Sequence, residues 1–455
     1  MSYQAINPAT GETGARFESW NDTKTFAQVE KAQQAFESWR QVDFSERAKL
    51  MKKAAGLLRE RKERYGRLIT QEMGKPLTAA IAEVEKCAMV CDFYADNTTA
   101  LLVEEIIQTE AAESYVRFDP LGVVLAVMPW NFPLWQVYRF AAPALMAGNA
   151  GILKHASNVP ESALSIEEVF AEAGFPEGLF QTFLIEIPLI EPLIRDRRVK
   201  AATLTGSEYA GSQVAMQSGR EIKPTVLELG GSDPFIVLAD ADLEEASSWA
   251  VKARFQNSGQ SCIAAKRFIL LESIADDFID RFKEKTEKLV MGDPLDTGTD
   301  MGPISTAKLR DQIHSQVEKS VAMGAQLVTG GVKPEGLGYF YPPTILTYVK
   351  PGMPAYEEEI FGPVASVMVV PDEETAIKVA NDTEFGLGSS IWTRDTAKAK
   401  ALAPRIEAGC VFINAMVKSD PRLPFGGVKK SGYGRELSSY GIKEFVNIKT
   451  VWVEG

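Results

Sequence analysis

Residues 122–130 read GVVLAVMPW, and AGILKHA at 150–156, VKAATLTG at 199–206 and TVLELGG at 225–231 repeat the same plan. Each is a short, nearly continuous apolar run that ends on small or polar residues. Between them lie stretches with helical spacing: LWQVYRFAAPALMAG at 134–148, a second opened by Pro160 and closed near Gly174, and a third after Ser207. A strand that is apolar at consecutive residues is buried on both faces, and strands separated by helices lie parallel. The expectation is an α/β fold with a Rossmann-like, parallel-sheet cofactor domain whose ligand sits at the carboxyl ends of the strands.

Upstream, residues from about 23 to 97 place apolar side chains three and four apart among charges, as at Leu50, Met51, Ala54, Leu57 and Leu58, which predicts helices. Residues 106–109 and 114–118 read as a β-hairpin. Downstream, PFIVLAD at 234–240, a helix over 242–255 and QNSGQSCIAAKRFILLE at 256–272 open a second α/β pattern. It runs to about residue 412, with strands near 268–271, 366–370, 389–392 and 410–413. The closing segment EFVNIKTVWVEG alternates like a strand with no partner nearby in sequence, so it pairs with the hairpin or with another subunit. These divisions predict a cofactor-binding domain from residues 1–105 and 120–228, a catalytic domain over about 229–413, and a small β oligomerisation element from 106–119 and 440–455.

Of the 455 residues, 45% are hydrophobic and 24% charged, with 49 basic against 61 acidic side chains and a net charge of −12. No basic block stands out, which argues against nucleic acid and anionic membrane as partners. No apolar run approaches the ~18 residues of a transmembrane helix, and the amino terminus lacks the pattern of a secretion signal, so the cytoplasm is the expected compartment. Cys87, Cys91, Cys262 and Cys410 are too scattered for a disulfide framework or a paired zinc motif, and the two histidines, His155 and His314, exclude a His-rich zinc centre. No metal is expected, and acid–base chemistry falls to a carboxylate.

Three side chains stand where such chemistry is placed. Cys262 ends the small polar run Ser-Gly-Gln-Ser at a helix-to-strand junction, where backbone N–H groups and solvent access can favour thiolate; the alternative is a cysteine that only packs. Glu228 closes a strand buried on both faces, where desolvation raises a carboxyl towards the range of a general base; the alternative is a glutamate satisfied by donors of the Gly230–Gly231 turn. Asn131 follows a strand in MPWNFP and can donate to an oxyanion or simply form the turn. No GxGxxG follows any strand. Gly206, Ser207 and Gly211 could admit a pyrophosphate at a helix N-terminus, or Ser207 could be only an N-cap.

MPWNFP, TLTGS, the ELGG segment, GQSC, EEIFGPV and PFGGVKKSGYGRE occur in the order and spacing of the aldehyde dehydrogenase superfamily, over residues from about 7 to the C-terminus. Through KHASN and its short N-terminus, the chain most resembles the succinate-semialdehyde dehydrogenases of the short bacterial type. The resemblance implies that Cys262 attacks the aldehyde, that Asn131 and the Cys262 N–H hold the oxyanion, and that Glu228 activates water against the thioester, through a water relay or by moving. It assigns Lys154 and Glu359 to ribose, Phe361 to the nicotinamide, and Trp130, Gly206, Ser207 and Leu229 to the rest of the dinucleotide site. Alternatives for Lys154, Glu359 and Phe361 are a surface charge, a loop carboxylate and a core aromatic.

Relatives that prefer NAD commonly carry glutamate three residues after the ribose lysine. Here Ser157 stands there, which predicts NADP, the alternative being a serine that only helps start the helix at Pro160. Arg139 is the one cation in residues 134–145 and matches the arginine that holds a distal carboxylate, with Ser419 adding a hydroxyl and Trp135 and Ser261 completing the pocket; otherwise it pairs with an internal acid. The expected reaction is NADP-dependent oxidation of succinate semialdehyde to succinate by a homodimer or tetramer. The alternatives are a broad-specificity aliphatic or other ω-semialdehyde dehydrogenase, a CoA-acylating enzyme, against which Glu228 argues, and a catalytically silent member of the fold.

Overall fold

The computed structural model describes residues 2–455. The apolar runs form a six-stranded sheet in the order Gly432–Tyr433, Thr225–Glu228, Val199–Thr205, Val123–Met128, Ala150–His155, Phe180–Thr182. Neighbours are parallel except Gly432–Tyr433, which runs against Thr225–Glu228 and sets Gly432 opposite Glu228. From Val123–Met128 the chain first fills one side of the sheet and then crosses to the other. The reversal falls between Val123–Met128 and Val199–Thr205, and a crevice opens at the carboxyl ends of such a pair. Pro129, Trp130 and Asn131 follow one strand there, Gly206 and Ser207 the other.

A second sheet has seven strands in the order Gln326–Thr329, Thr344–Thr347, Val364–Val370, Ala265–Leu271, Asp233–Val237, Gly388–Trp392, Cys410–Ile413, parallel throughout except at Gln326–Thr329. Phe235, Val237, Phe268 and Leu270 pack into one apolar cluster, Ile236 and Ile269 into another. Both faces are covered, which is why these strands read as unbroken apolar runs. Gly230, Gly231 and Ser232 join the two sheets, so the link between them passes beside the crevice.

The helical opening is four helices, Asp22–Trp39, Phe44–Glu60, Lys62–Met73 and Leu77–Leu101, whose buried faces join the core of the first sheet. The C-terminal strand Val446–Val453 pairs antiparallel with Glu113–Pro120, which also pairs with Glu105–Ile106. The hairpin of the same chain is thus its partner. A two-stranded hairpin, Ser2–Ile6 with Thr13–Glu18, was not anticipated by the sequence reading. Among the described residues no helix is long and apolar enough to cross a membrane.

Candidate active site

The helix Leu243–Phe255 breaks into a tight turn before Cys262. Asn257, Ser258 and Gly259 all have positive φ, at 52°, 53° and 73°. Non-glycine residues stay there only when neighbours hold them. The Asn257 amide donates to the backbone oxygens of Asn131 (2.8 Å) and Gln260 (3.0 Å), and Ser258 Oγ donates to the Gly302 oxygen (2.8 Å). Gly259 is required, because a Cβ there would come within 2.4 Å of the Gly362 carbonyl. The buried Arg254 donates to the backbone oxygens of Ile360 and Gly362, tying this turn to the segment carrying Glu359 and Phe361.

Two cavities meet at the end of this turn. The larger, about 610 Å³, is lined by Trp130, Asn131, Gly206, Ser207, Leu229, Gly230, Glu359 and Phe361, the carboxyl ends of the first sheet facing loops of the second. The smaller, about 90 Å³, is lined by Trp135, Arg139, Ser261 and Ser419 together with Lys86, Lys418 and Phe425. Cys262 and Gln136 line both. The structure therefore places the predicted substrate residues and most of the predicted dinucleotide residues, all but Lys154 and Ser157, on two cavities that share Cys262.

Cys262 is half-buried, and burial pushes its thiol up to about 12, opposed by Arg139 and Lys266. This corrects the expectation that the junction favours thiolate: desolvation outweighs the nearby positive charge. Asn131 uses one of its two amide N–H groups on the Gln260 oxygen (3.1 Å), beside the Cys262 loop.

Glu228 lies at the end of its strand, 2% exposed, and no donor satisfies its carboxylate among the described residues. The Gly230–Gly231 turn does not supply one; Gly231 N–H donates to Glu359 instead, at 3.1 Å. Burial, then the neighbouring Glu436, raise the Glu228 carboxyl well above the usual carboxylate range. Its side chain lines neither cavity, and Glu228 Oε1 lies where a Cβ on Gly426 would come within 2.8 Å of it. Burial thus favours the uncharged form of this carboxyl, which lies outside both cavity walls, in keeping with a base that must move or work through water.

Arg139 is fully buried and pairs with Glu436, while its guanidinium stacks on Phe425 at 4.7 Å. The internal carboxylate weighed as the alternative is therefore present, in PFGGVKKSGYGRE, although Arg139 still lines the pocket. Ser419 accepts a hydrogen bond from Lys86 at 2.7 Å, and Ser261 Oγ is buried without a partner among the described residues.

On the dinucleotide side, Trp130 and Phe361 meet edge to face at 5.9 Å. Ser207 caps the helix Glu208–Arg220 by accepting from the Ala210 N–H at 3.3 Å, and it lines the cavity as well, so both readings of it hold. Glu359 is an ion-pair partner of Lys266 at 3.1 Å. Lys154 and Ser157 are not in the wall of the larger cavity: Lys154 is buried on Ala150–His155 with no ion pair among the described residues, and Ser157 is exposed in the following turn. A dinucleotide fits what is present, since a Cβ at Gly230 would fill the cradle, 2.7 Å from Glu359 Oε2, and the buried ammonium of Lys154, 6.0 Å over the Tyr3 ring, has no ion pair among the described residues.

The sequence reading missed Lys86, Gln136, Lys266 and Glu436. Lys86 carried a readable signal, a cation beside the apolar stretch CAMV, the same signal that singled out Arg139.

A cysteine between a nucleotide-sized cavity and a small pocket, with the Asn131 amide in the larger wall and a buried carboxyl nearby, is an arrangement suited to a thiol-dependent oxidoreductase. Residues 1–451 match the model of the aldehyde dehydrogenase family, and the chain belongs to that family. A probable succinate-semialdehyde dehydrogenase (NADP+) from Synechocystis sp. is 53% identical over 453 residues, spanning 100% of both chains. Succinate-semialdehyde dehydrogenase (NADP+) 1 of Mycobacterium tuberculosis is 52% identical over 456 residues, again over 100% of both. The crystal structure of succinic semialdehyde dehydrogenase from Streptococcus pyogenes in complex with NADP+ superposes with a TM-score of 0.98 at 39% identity, over 100% of each chain.

Proposed function

We propose that this chain oxidises succinate semialdehyde to succinate with NADP+. The observation that carries the substrate is the charge of the small pocket: Lys86, Arg139 and Lys418 stand in its wall with no carboxylate, and the pocket ends on Cys262. An aldehyde with a carboxylate at its far end satisfies both ends of such a pocket. The relatives named for this reaction support the same reading.

Cys262 loses its Sγ–H proton to solvent and the thiolate adds to the carbonyl carbon, forming a C–S bond as the C=O π pair moves onto oxygen. The second N–H of the Asn131 amide and the Cys262 backbone N–H receive that oxyanion, which collapses to the thioester as the C–H leaves as hydride. NADP+, when bound, supplies the hydride acceptor. Glu228, once ionised and turned towards the thioester, takes a proton from water as the water attacks; the C–S bond breaks, the electron pair leaves on sulfur, and the proton held by Glu228 returns to it to restore the thiol. Trp130, Phe361, Leu229, Gly206 and Ser207 shape the dinucleotide site, with Glu359 released from Lys266 to reach ribose. Glu208, Glu357, Glu358, Glu359 and Glu384 line that cavity without a cation, so positive charge for a 2′-phosphate comes from Lys154, with Ser157 as a neutral donor. Arg139, its charge matched by Glu436, contributes directed N–H donors, while Trp135, Ser261 and Ser419 complete the pocket.

Wild-type rates over succinate semialdehyde, glutarate semialdehyde and butanal, each with NADP+ and NAD, test the reading. The order given is the expected order of kcat/KM, and a preference for butanal overturns it. The enzyme assembles as a homodimer or a tetramer through the three-stranded sheet, whose strand Val446–Val453 exposes Ile448, Trp452 and Val453. Light scattering that reports a monomer at micromolar concentration contradicts this.

A further inference from the structure

Of the three cations in the wall of the small pocket, Lys418 is exposed to solvent while Arg139 and Lys86 are buried or half-buried, and these two are not equivalent. Arg139 is already ion-paired, with Glu436 on its guanidinium, and it also donates to Thr205 Oγ1 at 3.4 Å. Lys86, from the helix Leu77–Leu101, has no ion pair within 4 Å among the described residues. Its ammonium sits over the face of Trp135, 4.1 Å from the ring centroid, and donates to Ser419 Oγ at 2.7 Å. A hydroxyl that accepts from an ammonium keeps its own O–H to donate elsewhere, so Lys86 leaves the Ser419 proton for an anion in the pocket.

Lys86 also stands at a junction. A third cavity, about 270 Å³, shares Lys86, Phe132, Trp135 and Gln256 with the small pocket. Exposed Ala79 and Ala82 form part of its rim, so it opens to solvent, and Lys75 also lines it but is committed to Glu83. Lys86 therefore lines both this solvent-open cavity and the pocket that reaches Cys262.

We propose that Lys86 is the charge-selective residue of the pocket, supplying the net positive charge that takes the distal carboxylate of a short ω-carboxylated aldehyde. The assignment rests on the semialdehyde reading above and deepens it. In this arrangement Trp135 and Ser419 hold Lys86, and the Arg139–Glu436 pair gives direction without net charge. Burial, with Arg139 beside it, also brings the Lys86 ammonium down to about 8. The charged and titratable groups facing it are Arg139 from the helix Trp135–Ala147, Glu83 and Cys87 from its own helix, and Asp420 from the loop after Ser419, with Lys418 and Cys262 in the same pocket wall. Burial keeps Cys87 a thiol, and Arg422 holds Asp420 down to about 2, so neither changes charge between pH 7 and pH 9.

The test uses the full-length enzyme with NADP+ and reads one ratio, kcat/KM for succinate semialdehyde over kcat/KM for butanal. Lys86→Gln is expected to lower the ratio roughly 10- to 100-fold, mainly through KM, and Lys86→Arg to restore it to within a few-fold. In the wild type the ratio is expected to fall as pH rises through about 8, where the ammonium loses its proton, and Lys86→Arg is expected to remove that fall. The wild-type profile needs no variant to fold. A wild-type ratio near one overturns the substrate reading and the Lys86 assignment with it. A high wild-type ratio that Lys86→Gln leaves unchanged, or that stays flat across pH 8, overturns the Lys86 assignment alone.

Discussion

The two cavities that share Cys262 differ in size and in sign. The dinucleotide side is about 610 Å³, with five glutamates and no cation in its wall; the aldehyde side is about 90 Å³, with three cations and no carboxylate. On the function proposed above, the first selects by shape, through the strand ends and the Trp130–Phe361 pair, and leaves the 2′-phosphate to residues outside its wall. The second, on the same reading, selects by charge at close quarters. A thiol on the boundary feels both: Arg139 and Lys266 lower its pKa, Glu359 and Glu228 raise it, and burial exceeds them all.

Removing the boundary gives the largest effect. Cys262→Ala is expected to cut both dehydrogenase and esterase rates at least roughly 10³- to 10⁴-fold, because no other cysteine lines either cavity. Glu228→Gln should instead chiefly slow deacylation, visible as a pre-steady-state burst. A cysteine variant with a substantial rate breaks the mechanism outright.

The next effect measures which influence prevails at the boundary. With the Cys262 thiol at about 12, the thiolate fraction rises tenfold per pH unit through the neutral range, since a thiol is unreactive until it loses its proton. Inactivation by iodoacetamide without NADP+ should accelerate roughly 100-fold from pH 7 to pH 9 with no plateau. A plateau near neutrality would show that the positive groups outweigh desolvation.

How much of this contrast was legible in the sequence depends on whether it is carried by local pattern. Consecutive apolar residues announced both sheets, and the helix-to-strand junction announced the Cys262 turn, because burial and chain reversal leave marks within a few residues. The pairing of Arg139 with Glu436 joins positions 297 apart in sequence, across two domains' worth of chain, and nothing in either segment records it. The same holds for Lys86 with Ser419 and Lys266 with Glu359. Local sequence gave each charge its cost of burial but not the partner that offsets it.

That pairing sharpens the aldehyde side. Arg139→Ala leaves Glu436 buried beside Glu228 without its cation, and breaking a buried pair costs about 3–5 kcal/mol. The variant should melt at a lower temperature and lose rate with butanal as well as with succinate semialdehyde. Loss confined to the semialdehyde, with an unchanged Tm, would return charge selection to Arg139.

The smallest effect probes the dinucleotide side. Ser157 is exposed in the turn after Ala150–His155, three residues beyond the buried ammonium of Lys154. A neutral hydroxyl there donates to a 2′-phosphate, whereas a carboxylate accepts from a 2′-hydroxyl and repels phosphate. Ser157→Glu should shift the kcat/KM ratio from NADP+ towards NAD by roughly 10- to 100-fold, the equivalent of about 1.5–3 kcal/mol for one charge-assisted hydrogen bond. Because Ser157 stands outside the cavity wall, the shift should appear in KM for the dinucleotide and leave the semialdehyde-to-butanal ratio where it was. A wild type that already prefers NAD would mean that Ser157 only helps start the helix at Pro160, and that the acidic cavity discriminates by shape alone.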